Sequence, residues 1–384
     1  MAVMEQTVLQ WQDTLRQAAR EGRAVRLRGG GTKDGWGQSF EGQVLDTRAH
    51  QGVIAYEPTE LVVTVRTGTP LHELEALLAA QGQHLAFEPP RLGHDQPASA
   101  TTVGGMVACG LSGPARASVG AVRDFVLGAG FINGRGEHLT FGGQVMKNVA
   151  GYDVSRLMVG AMGTLGVLTE VSLKVLPLPP AQATLRWAVS AQQALDALNG
   201  WGGQPLPLNA SCWVPDGAMP GAGTRATDRR AGHLWLRLQG AAAAVDAACA
   251  RLDGERVPPA EADAFWSACR DQRLPFFNPV PGAALWRLSV PQTAPDLPWP
   301  HAALVEWHGA QRWVWAPADQ APALRAAVAA VGGHATVFRV AADGDRAVGV
   351  WPPLAAPLAE IHRRMKAAFD PAGVLCPGRM FPGC

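Results

Sequence analysis

The amino-acid sequence predicts an α+β protein of at least two domains, and three observations carry that expectation. A chain of 384 residues exceeds the size at which one hydrophobic core keeps growing. β-prone runs and helical spacings follow one another in mixed order, as in α+β architectures. A proline cluster at Pro177, Pro179 and Pro180 separates two stretches of different character, because every tryptophan except Trp11 and Trp36 lies beyond residue 180. The expected division is 1–180, 181–353 and a C-terminal segment 354–384.

The elements are expected in this order. Val8, Leu9, Trp11, Leu15 and Ala18–Ala19 space an amphipathic first helix that stops at Gly22. Ala24–Leu27 reads as a short strand entering a glycine loop, and Leu61–Thr67 as a strongly β-prone run. Leu71–Gln81 has helical spacing and stops at Gly82. Phe125–Ile132 reaches Asn133-Gly134, a hairpin signal, with Glu137–Phe141 as the returning strand. Val154–Val159 is read as helix and Val167–Leu176 as a long strand. Beyond the prolines, strands are expected at 233–238, 285–290 and 312–315, helices at 241–252 and 320–331, and exposed loops at 215–230 and 291–300. The last helix, Leu354–Phe369, places Leu358, Ile361, Met365 and Phe369 on one apolar face, and Asp370-Pro371 ends it.

Composition excludes several function classes. Hydrophobic content of 47% and charged content of 17% describe a globular chain rather than a disordered one. Net charge is +1 and the basic residues are scattered, so no stripe marks a nucleic-acid partner. No apolar stretch reaches membrane-spanning length, and the N-terminus has no signal-peptide pattern. Direct membrane insertion is therefore not expected; the expected location is cytoplasmic, or peripheral at the inner membrane through partner subunits. The cysteines at 109, 212, 249, 269, 376 and 384 never take CxxC spacing, so no metal or iron–sulfur site is expected in this chain.

Two glycine clusters are the chief functional signal. Arg28-Gly29-Gly30-Gly31-Thr32-Lys33 follows a strand, and consecutive glycines there form a nest of N–H donors for a pyrophosphate, or simply a tight turn. Thr102-Val103-Gly104-Gly105 and Gly163-Thr164-Leu165-Gly166 are the second instalment. None of the four lysines follows a glycine, which rules out a P-loop. Gly128-Ala129-Gly130 lacks the third glycine and opens no helix, which rules out a Rossmann fingerprint.

RGGGTKDGWG, ATTVGG (100–105), GAVRDFVLGA (120–129), the block 142–179 and the tail FDPAGVLCPGR (369–379) together resemble the vanillyl-alcohol-oxidase/PCMH-type FAD-binding family. Within that family they are similar to the FAD-binding subunits of bacterial glycolate-oxidising complexes. The resemblance implies a PCMH-type two-subdomain FAD-binding domain followed by a smaller α+β, cap-like domain, with the C-terminal helix and tail returning to the FAD domain. It implies that Arg28, Gly29, Gly30, Gly31, Thr32 and Lys33 take the pyrophosphate, and that Thr102, Gly104 and Gly105 approach FAD backbone-first. It further places Pro90, Asp124, Gly163, Thr164, Gly166 and Val167 near the cofactor. Each has a plainer alternative. Gly104 and Gly105 also permit close packing, Asp124 also caps or pairs with Arg123, Lys147 and Asp153 also form a solvated pair, and Tyr152 reads as a packing residue.

Two departures from the family pattern bear on chemistry. Some members attach FAD through a histidine where Thr32 stands, so non-covalent FAD is expected here unless a site such as Cys109 is used. Cys376 replaces the asparagine of an N-P-G-R tail and offers little hydrogen bonding; it reads as an inert buried thiol.

Oxidation of a 2-hydroxy acid also needs a base or metal for the hydroxyl proton and a cation for the carboxylate. The five histidines beyond residue 180 form no HGDGNxH-like string. Arg287 and Arg339 are the candidate carboxylate anchors, each equally readable as a strand arginine in a local pair. Three functions stay open. The first is an accessory FAD subunit relaying electrons between a catalytic FAD subunit and an iron–sulfur subunit of one complex acting on a small 2-hydroxy acid. The second is a self-sufficient FAD-dependent 2-hydroxyacid dehydrogenase, and the third a structural subunit without cofactor. The late tryptophans serve either as interface or as core.

Overall fold

A computed structural model describes residues 2–93, 100–143, 152–218, 231–297 and 300–381. The chain divides into two compact units: residues 1–111, 121–178 and 353–384 form the first, and residues 112–120 and 179–352 the second. The class is mixed α+β, as the sequence predicts.

The first unit is built on a five-stranded antiparallel sheet in the order Val53–Glu57, Val62–Arg66, Val167–Lys174, Val126–Ile132, His138–Gly142. Its central strand, Val167–Lys174, is buried on both faces, which is why that run reads as β-branched and apolar with little alternation. The Asn133-Gly134 signal does close a hairpin, with Ile132 opposite His138. Beside this sheet a parallel pair, Val25–Arg28 with Gln43–Asp46, is extended by the C-terminal tail: Val25 N–H donates to Val374 O at 2.8 Å, and Cys376 N–H to Val25 O at 2.9 Å. The first helix, Ala2–Glu21, buries Trp11, Leu15 and Ala18 against Val25, Leu45, Val374 and Leu375. Both chain ends thus share one core.

Leu71–Ala79 forms the predicted helix with Leu71, Leu74 and Leu78 buried at i, i+3, i+7 spacing. A helix at Val103–Cys109, absent from the sequence-based order, starts at Thr102, whose Oγ1 accepts the Gly105 N–H. Two glycines near its start masked it.

The second unit is an eight-stranded antiparallel sheet. Its order is Glu255–Arg256, Ala181–Ala188, Gly232–Gly240, Leu208–Pro215, Ala303–Glu306, Gln311–Ala316, Ala284–Ser289, His334–Arg339. The helices Ala191–Gly202, Ala242–Leu252 and Ala321–Ala329 cover one face through two apolar clusters. On the other face the helix Pro259–Arg270 stacks Phe265 on Trp235 with ring centroids 3.8 Å apart. Trp213, Trp235, Trp266, Trp286, Trp307, Trp313 and Trp315 are all buried, so these tryptophans are core and the interface alternative is overturned for them.

Two further expectations are corrected. Tyr152 is 92% exposed and packs nothing in. On the last helix, observed at Ala356–Phe369, Leu358 and Ile361 are 44% and 54% exposed, and the side chain that is buried is Lys366. Its ammonium donates to Thr164 O at 2.8 Å, Asp370 Oδ2 at 2.7 Å and Leu375 O at 2.6 Å. A buried charge so fully bonded outcompetes a weak apolar face.

Candidate functional site

The first unit carries an open, concave cleft, the kind of surface on which small-molecule and cofactor sites form. The loop Arg28–Lys33 forms one wall, Thr102, Gly104 and Gly105 a second, and Gly163, Gly166 and Val167 a third. Pro90, Asp124 and Thr164 do not line it. Pro90 is buried. Asp124 is exposed and its Oδ2 accepts the Ala121 N–H at 2.8 Å, a capping bond for its own short helix. Thr164 is buried, its hydroxyl donating to Ala161 O and its carbonyl accepting from Lys366. Lys147 lies outside the described residues. Asp153 caps the Val154–Leu157 helix and pairs with Arg156 at 3.0 Å.

The strand Val25–Arg28 delivers the glycine loop to the mouth of the parallel pair, where the ladder ends and backbone donors are released. Among the described residues, the N–H groups of Gly29, Gly30, Gly31, Thr32 and Lys33 have no hydrogen-bond partner. Buried or half-buried backbone donors are rarely left so, and five in succession make an anion nest. The charges agree. Arg26, Arg28, Lys33 and Arg379 line the cleft, and the one carboxylate among the described lining residues is Asp34, which pairs with Arg26 at 3.2 Å and Arg28 at 2.7 Å. Burial pushes the Lys33 ammonium below its ordinary pKa, with Cys109 nearby opposing that shift; an anion in the cleft would relieve the penalty.

The second wall is different. Gly104 N–H donates to Thr67 O at 2.7 Å and Gly105 N–H to Thr102 Oγ1 at 3.1 Å. A methyl group built on Gly104 would lie 2.7 Å from Thr67 Cβ. For Gly104 close packing is therefore the observed constraint. The third wall rests on the tail: a methyl group on Gly163 would meet Leu27 Cδ1 at 3.0 Å and Cys376 Sγ at 3.2 Å. Lys366 and Asp370 hold that arrangement, since Asp370 also accepts the N–H groups of Val374 and Leu375. Cys109 and Cys376 both line the cleft, and burial raises both thiols above the ordinary range, which keeps them protonated and poorly nucleophilic. Arg26, Asp34 and Lys366 escaped the sequence reading as site residues, whereas Cys109 entered it only as an alternative point of FAD attachment. Lysine beside a helix end and arginine in a strand carry no local signal of what they will meet.

In the second unit Arg339 is occupied: its guanidinium donates to Phe277 O at 3.0 Å and Gln272 Oε1 at 2.8 Å. Arg287 Nε donates to Gln311 Oε1 at 2.7 Å, and its guanidinium lies 5.1 Å from the Trp307 ring centre. Burial pushes both arginines down to about 10, which leaves them cationic at neutral pH. Glu306 is buried there and accepts from Trp313 Nε1 at 2.5 Å, Gln311 Nε2 at 3.0 Å and Cys269 Sγ at 3.2 Å. No group of three or more metal-ligating side chains occurs among the described residues, and no helix among them is long and apolar enough to cross a membrane.

Known proteins sharpen this picture. A family model described as an FAD binding domain matches residues 2–142. The glycolate oxidase subunit GlcE of Escherichia coli (strain K12) is 46% identical over 369 residues, covering 96% of this chain and 96% of that protein. The glycolate oxidase subunit GlcD of Bacillus subtilis (strain 168) is 33% identical over 146 residues, covering 38% of this chain and 29% of that protein. A solved structure of alkyldihydroxyacetonephosphate synthase aligns with a TM-score of 0.63 at 14% identity over 95% of this chain and 74% of its own, and so shares the fold. FAD is the cofactor these matches support, and the cleft fits it. Unengaged donors on Gly29–Lys33 and an excess of cations over Asp34 are what a pyrophosphate requires.

Proposed function

The chain belongs to the family of the glycolate oxidase subunit GlcE, and on that premise we propose that it serves a complex oxidising glycolate or a related small 2-hydroxy acid. It is an FAD-dependent oxidoreductase subunit. In this reading it relays electrons between a catalytic flavin subunit and an iron–sulfur subunit. The observation that carries the reading is the nest of N–H groups on Gly29–Lys33, unengaged among the described residues, within a cleft lined by Arg26, Arg28, Lys33 and Arg379. The loop residues hold the pyrophosphate, and the tail residues Cys376 and Arg379 close the wall beside Gly163. When bound, FAD supplies the group that accepts and donates electrons.

The cofactor is held non-covalently. Thr32 cannot form the histidyl link, and the thiols lining the cleft are kept protonated by burial. Any membrane association is peripheral and made through partners. The similarity of this chain to one glycolate oxidase subunit along nearly its whole length, and to another over about a third of it, supports a division of labour. The lack of an HGDGNxH-like string beyond residue 180 points the same way.

The test is to purify the chain alone and with its partner subunits, release flavin by denaturation, and follow glycolate-dependent dye reduction. Released FAD, negligible turnover alone and turnover with partners are expected. Robust turnover by the isolated chain would sink the relay reading in favour of a self-sufficient dehydrogenase, which the Nη atoms of Arg287, without a partner among the described residues, favour. A colourless protein would favour a structural subunit.

A further inference from the structure

In the first unit the C-terminal tail ends its pairing beside Val25 and then turns back sharply. Cys376 has φ of 41° and Gly378 of 71°, and the Arg379 N–H donates to Cys376 O at 3.2 Å. A left-handed φ on a non-glycine residue is sparsely populated and persists only where the surroundings over-determine it. Here they do. Cys376 is buried, its N–H donates to Val25 O at 2.9 Å, and the carbonyl of the preceding Leu375 accepts from the Lys366 ammonium at 2.6 Å. The strained turn aims one long side chain, that of Arg379, at the segment that follows the glycine nest.

That segment, residues 31–38, lies outside any helix or strand. Asp34 N–H donates to Gly31 O at 3.0 Å and Trp36 N–H to Lys33 O at 3.1 Å, so two turns follow the nest directly. Arg379 Nη2 donates to Lys33 O at 3.2 Å and to Asp34 O at 3.3 Å, and Nη1 donates to Gln38 O at 3.4 Å. The Arg379 carbonyl in turn accepts the Gln38 N–H at 3.0 Å. Gly37, at φ 97°, leaves room for this seat: a methyl group there would lie 2.9 Å from Arg379 Nε and 3.2 Å from the Arg379 carbonyl oxygen. One planar guanidinium thus gathers three carbonyls of an irregular segment, which a point charge on a flexible stem would not do.

We propose that Arg379 is a positioning residue for the cofactor: it clasps the C-terminal tail to the turns that end the nest, so that the N–H groups of Gly29–Lys33 converge before a pyrophosphate arrives. It acts through loop carbonyls rather than as a phosphate ligand, its charge serving the cleft only at a distance. A loop already ordered by the clasp loses less conformational freedom on binding. The tail and the cofactor are then coupled, each favouring the ordered state that the other needs. The inference rests on the reading of Gly29–Lys33 as the pyrophosphate cradle, and hydrogen exchange separates the failure of one from the failure of the other.

Full-length apoprotein is titrated with FAD and followed by flavin fluorescence, and amide hydrogen exchange is measured with and without FAD. In the unsubstituted chain FAD slows exchange over residues 29–33. Arg379→Gln weakens FAD by roughly tenfold or more, and Arg379→Lys by nearly as much. In both variants the Asp34, Trp36 and Gln38 N–H groups exchange faster already in the apoprotein, where no phosphate is present. Thermal midpoints of the variants recognise a global folding defect independently. Unchanged FAD affinity in Arg379→Gln with folding intact overturns the proposal. So does lost affinity with apoprotein exchange over residues 34–38 unaltered, which would make Arg379 a direct phosphate ligand. If FAD binds the unsubstituted chain without slowing exchange over 29–33, the cradle reading fails and the clasp falls with it.

Discussion

The two glycine clusters of the first unit look alike in sequence and differ in hydrogen bonding. In Gly29–Gly31 and the two residues after it, the backbone donors are unengaged among the described residues. In Gly104-Gly105 both donors already serve Thr67 O and Thr102 Oγ1. The clusters also press on each other: a methyl group on Gly29 would lie 2.4 Å from Thr102 Oγ1, and one on Gly30 would lie 1.4 Å from Ala100 O. The first cluster therefore uses glycine twice, for a close approach on one side and for free donors on the other. The second is scaffold. Glycine richness alone does not identify a ligand cradle; unengaged N–H groups do.

Five substitutions or conditions would break or sharpen that contrast. Gly30→Ala is expected to have the largest effect, about 3 kcal/mol of lost stability, because the obstructing atom is a backbone carbonyl that cannot swing aside; urea unfolding checks it. Lys33→Met should weaken FAD by roughly tenfold to a hundredfold, the worth of a charge-assisted hydrogen bond of about 1.5–3 kcal/mol, while apoprotein stability holds or rises. Reconstitution of apoprotein followed by flavin fluorescence reads this, and unchanged affinity would show that the first cluster is not the cradle. Gly104→Ala should cost about 1–3 kcal/mol through the clash with Thr67, yet each folded molecule should bind FAD as before. A loss of affinity at full folding would move Gly104 into the cradle class.

The fourth test is acid. His50, whose carbonyl accepts the Gly68 N–H beside Thr67, is pushed by burial and by Arg66 from 6.5 down to about 4. The unfolded chain takes the proton first, so stability should be full above pH 6.5 and fall as pH drops through that window toward 4. His308 in the second unit behaves alike for reasons of burial. Denaturant midpoints across pH, compared with those of His50→Gln, measure the share of His50, which should flatten the profile. The smallest effect is expected from Asp124→Ala, which loses one exposed capping bond worth about 0.5–1 kcal/mol and leaves flavin affinity unchanged. A clear drop in affinity would return Asp124 to the cofactor site despite its place off the cleft wall.

The sequence made some of this readable. Asn133 announces its hairpin because an asparagine side chain can hold a turn by itself: its Oδ1 accepts the Arg135 and Glu137 N–H groups, and the positive φ falls on Gly136. The periodicity of Leu71–Leu78 announces its helix, and the strand-then-glycine order of 25–33 announces a loop able to take an anion. Other features were not readable. The apolar face expected from Leu358 and Ile361 is solvent-exposed, while Lys366 is buried, because its acceptors on Thr164 and Leu375 are supplied by segments that the helix meets only in the folded chain. The strands Gln43–Asp46 and Ala303–Glu306 are too short to show a pattern. Trp307 between Arg116 and Arg287 joins residues nearly two hundred positions apart.

Local backbone chemistry therefore determined the mixed α+β class, the positions of the main turns, and the presence of two glycine segments fit for close approach. These depend on φ preference, on side-chain period and on proline, all properties of a few neighbouring residues. Only the tertiary structure decided which glycine donors remain unengaged among the described residues and which lysine is buried. Hydrogen-bond satisfaction is settled by whichever distant partner reaches a group first, and a linear sequence does not record that outcome.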